Sequence, residues 1–376
     1  MKIIKYFLIS LALIGCYTGK EYIRGIDYKD ENIRLLIMSD IKSCKINPIN
    51  TFKIVDIHNN LISLGISNDI LIESSDNKLK VNGKIITGNA LKIISNDNKI
   101  KINEYVYRGI IEVSKEKDTL DIINELPIEE YLYGIVGREM GSAHIEALKA
   151  QAVAARTFTY DQKQHSKSKK YDINNTGQSI SYTGILKENP DAIESVNSTK
   201  GEIIKYNGKL IFAPFYANCG GYTEDVKEVW GITYPYLVPT PCYFCKNKKH
   251  YSWVVEIEKQ HFVDSLRKKG YDISKVLGMN IIETSKTGRM KKMEIMSEKG
   301  KIIIDTNQLR LLVGSNTLKS TRFTVREKAS TFLFRGKGWG HGVGLCQDGA
   351  EGMAKAGYKY KQILNKYYKE VQVSTR

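Results

Sequence analysis

The sequence has little proline and little cysteine, with 7 and 6 of them among 376 residues. The low proline count excludes a Pro-rich linker protein, and the low cysteine count excludes a fold held by a disulfide scaffold. After the N-terminal segment, no stretch reaches the roughly 18 apolar residues that a membrane-spanning helix requires. The chain is instead 42% apolar and 26% charged, which is typical of a globular protein with about two to three domains.

Several motifs of known chemistry are also missing. The sequence contains no GxxxxGK[ST] phosphate-binding loop, no HExxH motif and no GxSxG nucleophile motif. It has no internal repeat of fixed period. These absences argue against a P-loop nucleotide site, a zinc protease of the HExxH kind and a serine hydrolase.

The charge balance of the chain is strongly basic. Lysine and arginine number 57 against 41 acidic residues, which leaves a net charge of +16. Such a surplus predicts a polyanionic neighbour, namely nucleic acid, anionic lipid or an acidic polymer, without choosing among them.

The first sixteen residues are similar to a bacterial lipoprotein signal. Lys2 and Lys5 precede a short apolar run, which ends in Gly15 and Cys16 like a lipobox. We expect a signal peptide over 1–15, acylation of Cys16 and a lipidated tether over 16–30; a short core strand or helix is the alternative. A protein that is exported and lipid-anchored to the cell envelope is not expected to bind nucleic acid. The polyanionic partners that remain are lipid headgroups and the wall polymer.

The remaining pattern predicts an α+β fold, with a β-rich N-terminal region over 31–118 and a mixed α/β domain over 119–376. Short apolar runs of period two alternate with Asn, Asp and Gly in the first region. Asn82-Gly83 and, further on, Asn207-Gly208 predict hairpin turns.

Helices are predicted from Pro127 onward. Proline near a first turn, followed by two acids, is typical of a helix start, and we expect Glu129 and Glu130 at the surface there. The Ala-rich stretch 145–162 predicts an amphipathic helix. Two further helices are predicted, at 259–269 and 306–313.

Glu139 is the first candidate for acid–base chemistry. We expect it in a short connection between two helices, where Gly137 and Gly141 let the backbone approach a ligand. Apolar neighbours would raise the pKa of its carboxyl group, so that it donates a proton near neutral pH. The alternative is a surface glutamate that caps the following helix.

Two basic side chains are further candidates. Arg156 lies on the small-residue part of the Ala-rich helix and forms either a structural ion pair or a contact with substrate. His341 stands between two glycines in GKGWGHGVGLCQDGA. It is a base, a ligand or a sugar contact, or else a structural histidine.

Three cysteines form a loose group, and a single C-x2-C is half of a zinc site. We expect Cys219 to lie close to the pair Cys242 and Cys245. A disulfide is one reading, as is usual in exported proteins. A zinc site completed by His250 or Cys346 is the other.

Four segments of the chain resemble the SpoIID/LytB family of cell-wall proteins. They are LPIEEYLYGIVGREM at 126–140, EALKAQAVAARTFTY at 146–160, the stretch around FYANCGGYTEDVKEVWG at 199–237, and GKGWGHGVGLCQDGAEGMAKAGYKYKQILNKYY at 336–368. They occur in the family's order, and the second and fourth are long and specific.

The resemblance implies a SpoIID-like catalytic domain that acts on peptidoglycan. The family includes lytic transglycosylases, which cut the glycan strand and leave 1,6-anhydroMurNAc ends, and proteins described as enhancers of cell-wall amidases. Glu139 takes the family's catalytic position in V-x-x-E-M. The substrate-binding candidates in the matching segments are Arg156, Gln151, Tyr216, His341 and Gln347.

The resemblance also bears on cofactors and partners. Some members bind zinc through a Cys/His cluster, but the matching stretch 171–178 has neither residue type, so no metal is expected there. No other cofactor is expected, with zinc as the alternative to a disulfide at Cys219, Cys242 and Cys245. The implied partners are peptidoglycan glycan strands, the membrane through the lipid anchor, and a cell-wall amidase.

Overall fold

The computed structural model describes residues 31–66, 69–176 and 182–376. The signal peptide, the acylated Cys16 and the tether predicted over 1–30 lie outside the described residues. Within those ranges, none of the helices combines the length and the apolar character needed to cross a membrane.

Strands make up the described chain before the first helix, which confirms the predicted β-rich N-terminal region. These strands are β1 (Asn32–Ile41), β2 (Ser43–Pro48), β3 (Thr51–Asp56), β4 (Leu61–Ile66), β5 (Ile70–Ser75), β6 (Lys78–Val81), β7 (Lys84–Ile86), β8 (Ala90–Ser95), β9 (Lys99–Ile102), β10 (Tyr105–Arg108), β11 (Ile110–Glu116) and β12 (Thr119–Pro127).

Helices and strands are mixed along the chain after residue 127, so the fold class is α+β as predicted. The first of these elements are α1 (Ile128–Met140), α2 (Ile145–Gln164), β13 (Ile173–Asn174), α3 (Pro190–Asn197), β14 (Glu202–Tyr206), β15 (Lys209–Leu210), β16 (Phe215–Tyr216) and α4 (Val226–Trp230). The later ones are β17 (Ser252–Glu258), α5 (Lys259–Lys268), β18 (Val276–Thr284), β19 (Met290–Ser297), β20 (Gly300–Asp305), α6 (Thr306–Val313), β21 (Phe323–Glu327), β22 (Thr331–Lys337), β23 (Leu345–Cys346), α7 (Gln347–Lys355), α8 (Tyr360–Tyr367) and β24 (Gln372–Thr375).

The chain forms two compact units. The first contains the described residues up to Ser142 together with Ala155–Ile203 and Thr375–Arg376. Its seven-stranded sheet has the order β13-β1-β12-β11-β8-β3-β4, and its six-stranded sheet has the order β10-β9-β2-β5-β6-β7. Burial alternates along strands such as β8, where Leu91 and Ile93 are buried, because successive side chains point to opposite faces of a sheet.

The predicted domain boundary at 118/119 falls inside the seven-stranded sheet. Strand β12 begins at Thr119, which pairs with Glu116 of the antiparallel strand β11. On its other side, β12 pairs with β1 from Leu120 to Pro127. Main-chain hydrogen bonds therefore join the two sides of that boundary, and dividing the chain at 118/119 does not separate folded units.

The second unit contains Ala143–Ala154 and Ile204–Ser374. Its strand orders are β15-β14-β24, β16-β23, β17-β22-β21 and β18-β19-β20. Aromatic side chains of α5 and the flanking strands form much of its core, with Phe262 and Phe334 each 0% exposed. The rings of these two residues lie 5.8 Å apart.

Local predictions from the sequence are mostly confirmed. The turn at Asn82-Gly83 joins β6 to β7, and Asn207-Gly208 joins β14 to β15. Helices α5 and α6 have the predicted positions. Helix α2 is present but not amphipathic over its whole length, because residues 150–157 are buried without interruption.

Candidate functional site

Glu139 lies in the last turn of α1 and not in the connection after it, which corrects the sequence prediction. The helix ends at Gly141, whose φ of 59° closes it and whose N–H donates to the carbonyl of Gly137 at 3.0 Å. The dipole of a helix favours acids at the opposite end. Stability of α1 therefore does not account for a carboxylate at this position.

Two glycines of α1 bring the helix against the segment 182–189. A Cβ at Gly137 would lie 1.9 Å from the carbonyl oxygen of Lys187, and one at Gly134 would lie 2.8 Å from that of Gly184. The close approach served by Gly137 is therefore to the protein's own backbone and not, as predicted, to a ligand. The contact sets the position of the helix end that carries Glu139.

The segment 182–189 is itself anchored within the first unit. Arg108 of β10 forms a bidentate ion pair with Glu188, with N–O distances of 2.8 and 2.7 Å. The Tyr182 ring packs 5.2 Å from the ring of Tyr131 on α1. These contacts hold the segment 182–189 in place where α1 packs against it.

The surroundings of Glu139 are apolar on the helix side. Glu139 is half-buried, whereas the preceding Arg138 is exposed. Ile135 and Val136 are buried one turn earlier. Burial, and next the negative charge of Glu139, raise the pKa of the Tyr131 hydroxyl. The carboxylate thus borders an apolar interior while solvent still reaches part of it.

Arg156 forms a structural ion pair, which answers the alternative left open by the sequence. Its side chain is 0% exposed and donates two hydrogen bonds, of 2.9 and 2.7 Å, to the carboxylate of Glu129. It also donates to the carbonyls of Val196 and Glu202. These partners engage the guanidinium inside the first unit, so direct contact with substrate, as predicted, is not what this geometry favours.

The two acids at the start of α1 are not the surface residues that the sequence predicts. Both are half-buried. Glu129 pairs with Arg156, and Glu130 accepts a hydrogen bond from the Asn98 side chain at 2.9 Å. No local pattern reveals these pairings, because the partners lie 27 and 32 residues away in sequence.

His341 belongs to the second unit and has both ring nitrogens engaged by the backbone. Nε2 lies 3.1 Å from the carbonyl oxygen of Phe215, and Nδ1 accepts the N–H of Val343 at 3.1 Å. The carbonyl partner assigns the proton to Nε2. In this arrangement His341 is neither a free base nor a metal ligand. Of the predicted roles, a structural histidine and a sugar contact through the ring both fit these hydrogen bonds.

The environment of His341 keeps its ring neutral. Burial first, and then the charges of Arg310 and Arg289, lower the pKa of His341 to about 3. The rings of Tyr216 and Trp230 each lie 5.0 Å from the imidazole ring. The residue therefore presents an aromatic surface without charge across the physiological pH range.

The other predicted substrate contacts are buried in the second unit. Gln151 and Gln347 come together, with the Nε2 of Gln347 3.4 Å from the Oε1 of Gln151. Tyr216 is 5% exposed, and burial raises the pKa of its hydroxyl well above the usual range. Within the described residues, the Nε2 of Gln151 and the hydroxyl of Tyr216 have no hydrogen-bond partner.

Four cysteines meet in the second unit. The Sγ atoms of Cys219, Cys242, Cys245 and Cys346 all lie within 4.8 Å of one another, and all four residues are buried and outside any disulfide. The predicted proximity of Cys219 to the C-x2-C pair is confirmed, with 3.4 Å between the Sγ atoms of Cys219 and Cys245. His250 instead lies 3.4 Å from a carboxylate oxygen of α7.

Two families match parts of the chain. The family described as Stage II sporulation protein matches residues 116–206, which include Glu139 and α2. A domain of unknown function, DUF8618, matches residues 242–344, which include the C-x2-C pair and His341.

Three relatives align over most of the chain. An uncharacterized protein of Brachyspira hyodysenteriae is 32% identical over 71% of this chain and 72% of its own length. Stage II sporulation protein D of Bacillus subtilis is 31% identical over 67% of this chain and 76% of its own length. The amidase enhancer of Bacillus subtilis is 32% identical over 63% of this chain, but only 39% of that protein is covered. Taken together with the residues of α1 and α2, these matches show that the chain belongs to the SpoIID/LytB family.

Proposed function

We propose that this protein acts on the bacterial cell wall as a lytic transglycosylase of peptidoglycan glycan strands. The observation that carries the proposal is the position of Glu139. It lies in the segment that matches the sporulation-protein family, at the end of α1, half-buried beside apolar side chains and partly open to solvent. A carboxyl group in such a setting can exchange a proton with a bound substrate.

One carboxyl group is enough for this reaction. Glu139 protonates the oxygen of the MurNAc–GlcNAc bond as that bond breaks. As a carboxylate it then takes the proton from the C6 hydroxyl of the same MurNAc, whose oxygen closes the 1,6-anhydro ring. The nucleophile belongs to the substrate, so proximity supplies much of the rate and no second carboxylate is needed.

The charge of the protein supports a polyanionic glycan as substrate. Glycan strands without stem peptides expose the lactyl carboxylates of MurNAc, which a protein of net charge +16 attracts over a distance. Arg156 does not provide this attraction, because its charge is neutralised by Glu129. The many exposed lysines provide it instead, so binding should weaken as salt is added.

The deciding experiment is a product analysis on peptidoglycan from which an amidase has removed the stem peptides. Mass spectrometry should find glycan fragments that end in 1,6-anhydroMurNAc. The Glu139→Gln protein should bind the same glycan, yet lose about 10²–10⁴-fold in cleavage rate, because an amide neither donates nor accepts the proton.

Glu194→Gln is the matched control. Glu194 is an exposed glutamate on α3 within the first unit, so the same chemical change there should leave cleavage intact. Fragments with a reducing MurNAc end would mean hydrolysis and contradict the transglycosylase reaction. Full activity of Glu139→Gln would remove Glu139 from the mechanism.

A second candidate function is stimulation of a cell-wall amidase without glycan cleavage. It is favoured by the relative whose name is amidase enhancer. The test is release of stem peptides by a purified amidase in the presence of this protein. Stimulation that is equal for wild type and Glu139→Gln, with no anhydro ends in either reaction, would select this function.

The cellular location that fits either function is the cell envelope. Export and acylation at Cys16 would tether the chain to a membrane surface, facing the wall. The basic charge suits that position, since both anionic headgroups and the wall polymer lie there.

A further inference from the structure

A cluster of four buried thiols in the second unit takes no part in the proposed glycan chemistry. Cys219 follows β16, Cys242 and Cys245 share one loop, and Cys346 ends β23 as the N-cap of α7. Three chain segments that are distant in sequence thus converge on one point. Such convergence of cysteines needs an explanation, because buried cysteines that serve only for packing are not required to meet.

The spacing of the sulfur atoms fits a single tetrahedral ion. A zinc–sulfur bond of about 2.3 Å places tetrahedral thiolates about 3.8 Å apart. The Sγ atoms of Cys219 and Cys245 are 3.4 Å apart, and all four sulfur atoms lie within 4.8 Å of one another. An iron–sulfur cluster distributes its thiolates over several iron atoms and needs wider separations than these.

Hydrogen-bond donors point at the sulfur atoms, as around metal-bound thiolates. The Sγ of Cys346 accepts two backbone N–H groups, both at 3.3 Å. The Sγ of Cys219 accepts the N–H of Gly221 at 3.4 Å. The Sγ of Cys242 lies 3.2 Å from the hydroxyl oxygen of Tyr367. Three of the four sulfur atoms therefore have a donor suited to negative charge.

A buried cation lies beside the cluster. Arg289 is 2% exposed and donates from Nη2 to the carbonyl of Cys219 at 3.1 Å. Its Nε and Nη1 have no hydrogen-bond partner in the described part of the chain. Burying a guanidinium without a counter-charge is costly. A dianionic zinc tetrathiolate next to Cys219 would supply that charge.

We propose that Cys219, Cys242, Cys245 and Cys346 bind one structural zinc ion. Binding exchanges the four thiol protons, which are released to solvent, for four Zn–S bonds, and no electron is transferred. His250 is not part of the site. The four protein ligands fill the tetrahedron and leave no position for a substrate, so the zinc is structural and not catalytic.

The zinc ion would hold the part of the second unit that carries His341. Tyr216 of β16 pairs with Cys346 of β23, and Phe215 accepts the hydrogen bond of His341. Zinc would lock these strands to the loop of Cys242 and to the start of α7. Loss of the metal should loosen this region while the first unit, which holds Glu139, keeps its structure.

The test begins with the full chain and needs no activity assay, so its outcome is separate from that of the proposed function. Elemental analysis of protein purified without chelators should find one zinc per chain. After removal of zinc and addition of cobalt(II), the protein should show the thiolate charge-transfer and visible bands of tetrahedral cobalt. Alkylation without reductant in denaturant and chelator should then modify all four cysteines, which peptide mass spectrometry can locate.

Variants locate the site. Cys242→Ser and Cys346→Ser should each lower the zinc content to near zero. Cys44→Ser is the matched control, because Cys44 is buried in β2 of the first unit and should leave the zinc content unchanged. Hydrogen exchange of the metal-free wild type should increase in 215–221, 242–245 and 345–349, but not in α1.

Three results would overturn the proposal. One is a disulfide between any two of the four cysteines in the purified protein. Another is the absence of zinc from wild type that also fails to bind cobalt(II). The third is iron in place of zinc at one atom per chain. All three results are measured on the wild-type protein, so the proposal can be refuted even if a variant fails to fold.

Discussion

A substitution in the buried ion pair between Glu129 and Arg156 measures how much that pair stabilises the first unit. Glu129→Gln keeps the shape of the side chain and removes its charge. The guanidinium of Arg156 then stays enclosed, at 0% exposure, without an anion. The carboxylate also accepts the N–H of Gly201, and the substituted amide cannot serve all of these donors.

The expected loss in free energy of unfolding depends on which member of the pair stays buried. Removing one member of a buried pair costs about 3–5 kcal/mol when the remaining charge is fully enclosed. Arg156 keeps its bonds to two carbonyls and the amide keeps one acceptor, so the lower end, about 3 kcal/mol, is expected. For a unit of this size, that corresponds to a fall in melting temperature of about 6–12 °C.

Glu130→Gln is the control for this change. Glu130 is the next residue on α1 and has a hydrogen bond to the neutral amide of Asn98. A glutamine can retain that contact, so the expected loss is about 1 kcal/mol or less.

The assay must follow the first unit specifically. All three tryptophans, at positions 230, 253 and 339, lie in the second unit, so tryptophan fluorescence would follow the wrong one. Chemical denaturation monitored by circular dichroism, combined with hydrogen exchange of α1 peptides, reads the relevant transition. Equal losses for Glu129→Gln and Glu130→Gln would show that the ion pair does not stabilise the unit and would refute the argument.

Three further experiments test other features. Gly137→Ala should destabilise α1 and abolish cleavage, because its Cβ would meet the Lys187 carbonyl oxygen at 1.9 Å. Gly141→Ala has open space around its Cβ but a φ of 59° and a ψ of −130°, a conformation that favours glycine, so it should cost about 1–3 kcal/mol by denaturation. Equal losses of cleavage in the two variants would contradict the packing argument. Since the pKa of His341 is lowered from 6.5 to about 3, the unfolded chain binds the extra proton between these values, so stability should fall as pH drops through that window. A His341→Gln protein should lose less stability between pH 7 and pH 4.5 in denaturant titrations, and identical profiles would count against it. Cys16→Ala should release the protein from the membrane fraction, and unchanged fractionation would exclude the lipid anchor.

Features that depend on neighbouring residues could be predicted from the sequence. Asn82 and Gly83 adopt positive φ and close a hairpin, because Asn and Gly tolerate that conformation best. Helices α5 and α6 lie where apolar spacing places them. The β-rich region, however, extends past the predicted boundary at 118, because β12 continues to Pro127. The four segments that resemble the SpoIID/LytB family indicated the family, and the first of them selected Glu139 as the candidate residue.

Helix ends and burial were harder to predict. The Gly-rich stretch around Glu139 resembles a loop, yet α1 continues through it, because Gly137 serves close packing against Lys187 and Gly141 alone ends the helix. The run 150–157 of α2 is buried on successive positions, which no amphipathic pattern foretells. Packing around a helix decides such features, and local propensity does not.

The sequence by itself determined the strand and helix types, the hairpin turns, the family and the residue to test first. Only the tertiary structure decided which side chains meet. It paired Arg156 with Glu129, engaged both nitrogens of His341 with backbone atoms, and brought Cys346 to Cys219 across 127 residues. The physical reason is that turns and helices depend on residues a few positions apart, whereas ion pairs and metal sites depend on distances that exist only after the chain has folded.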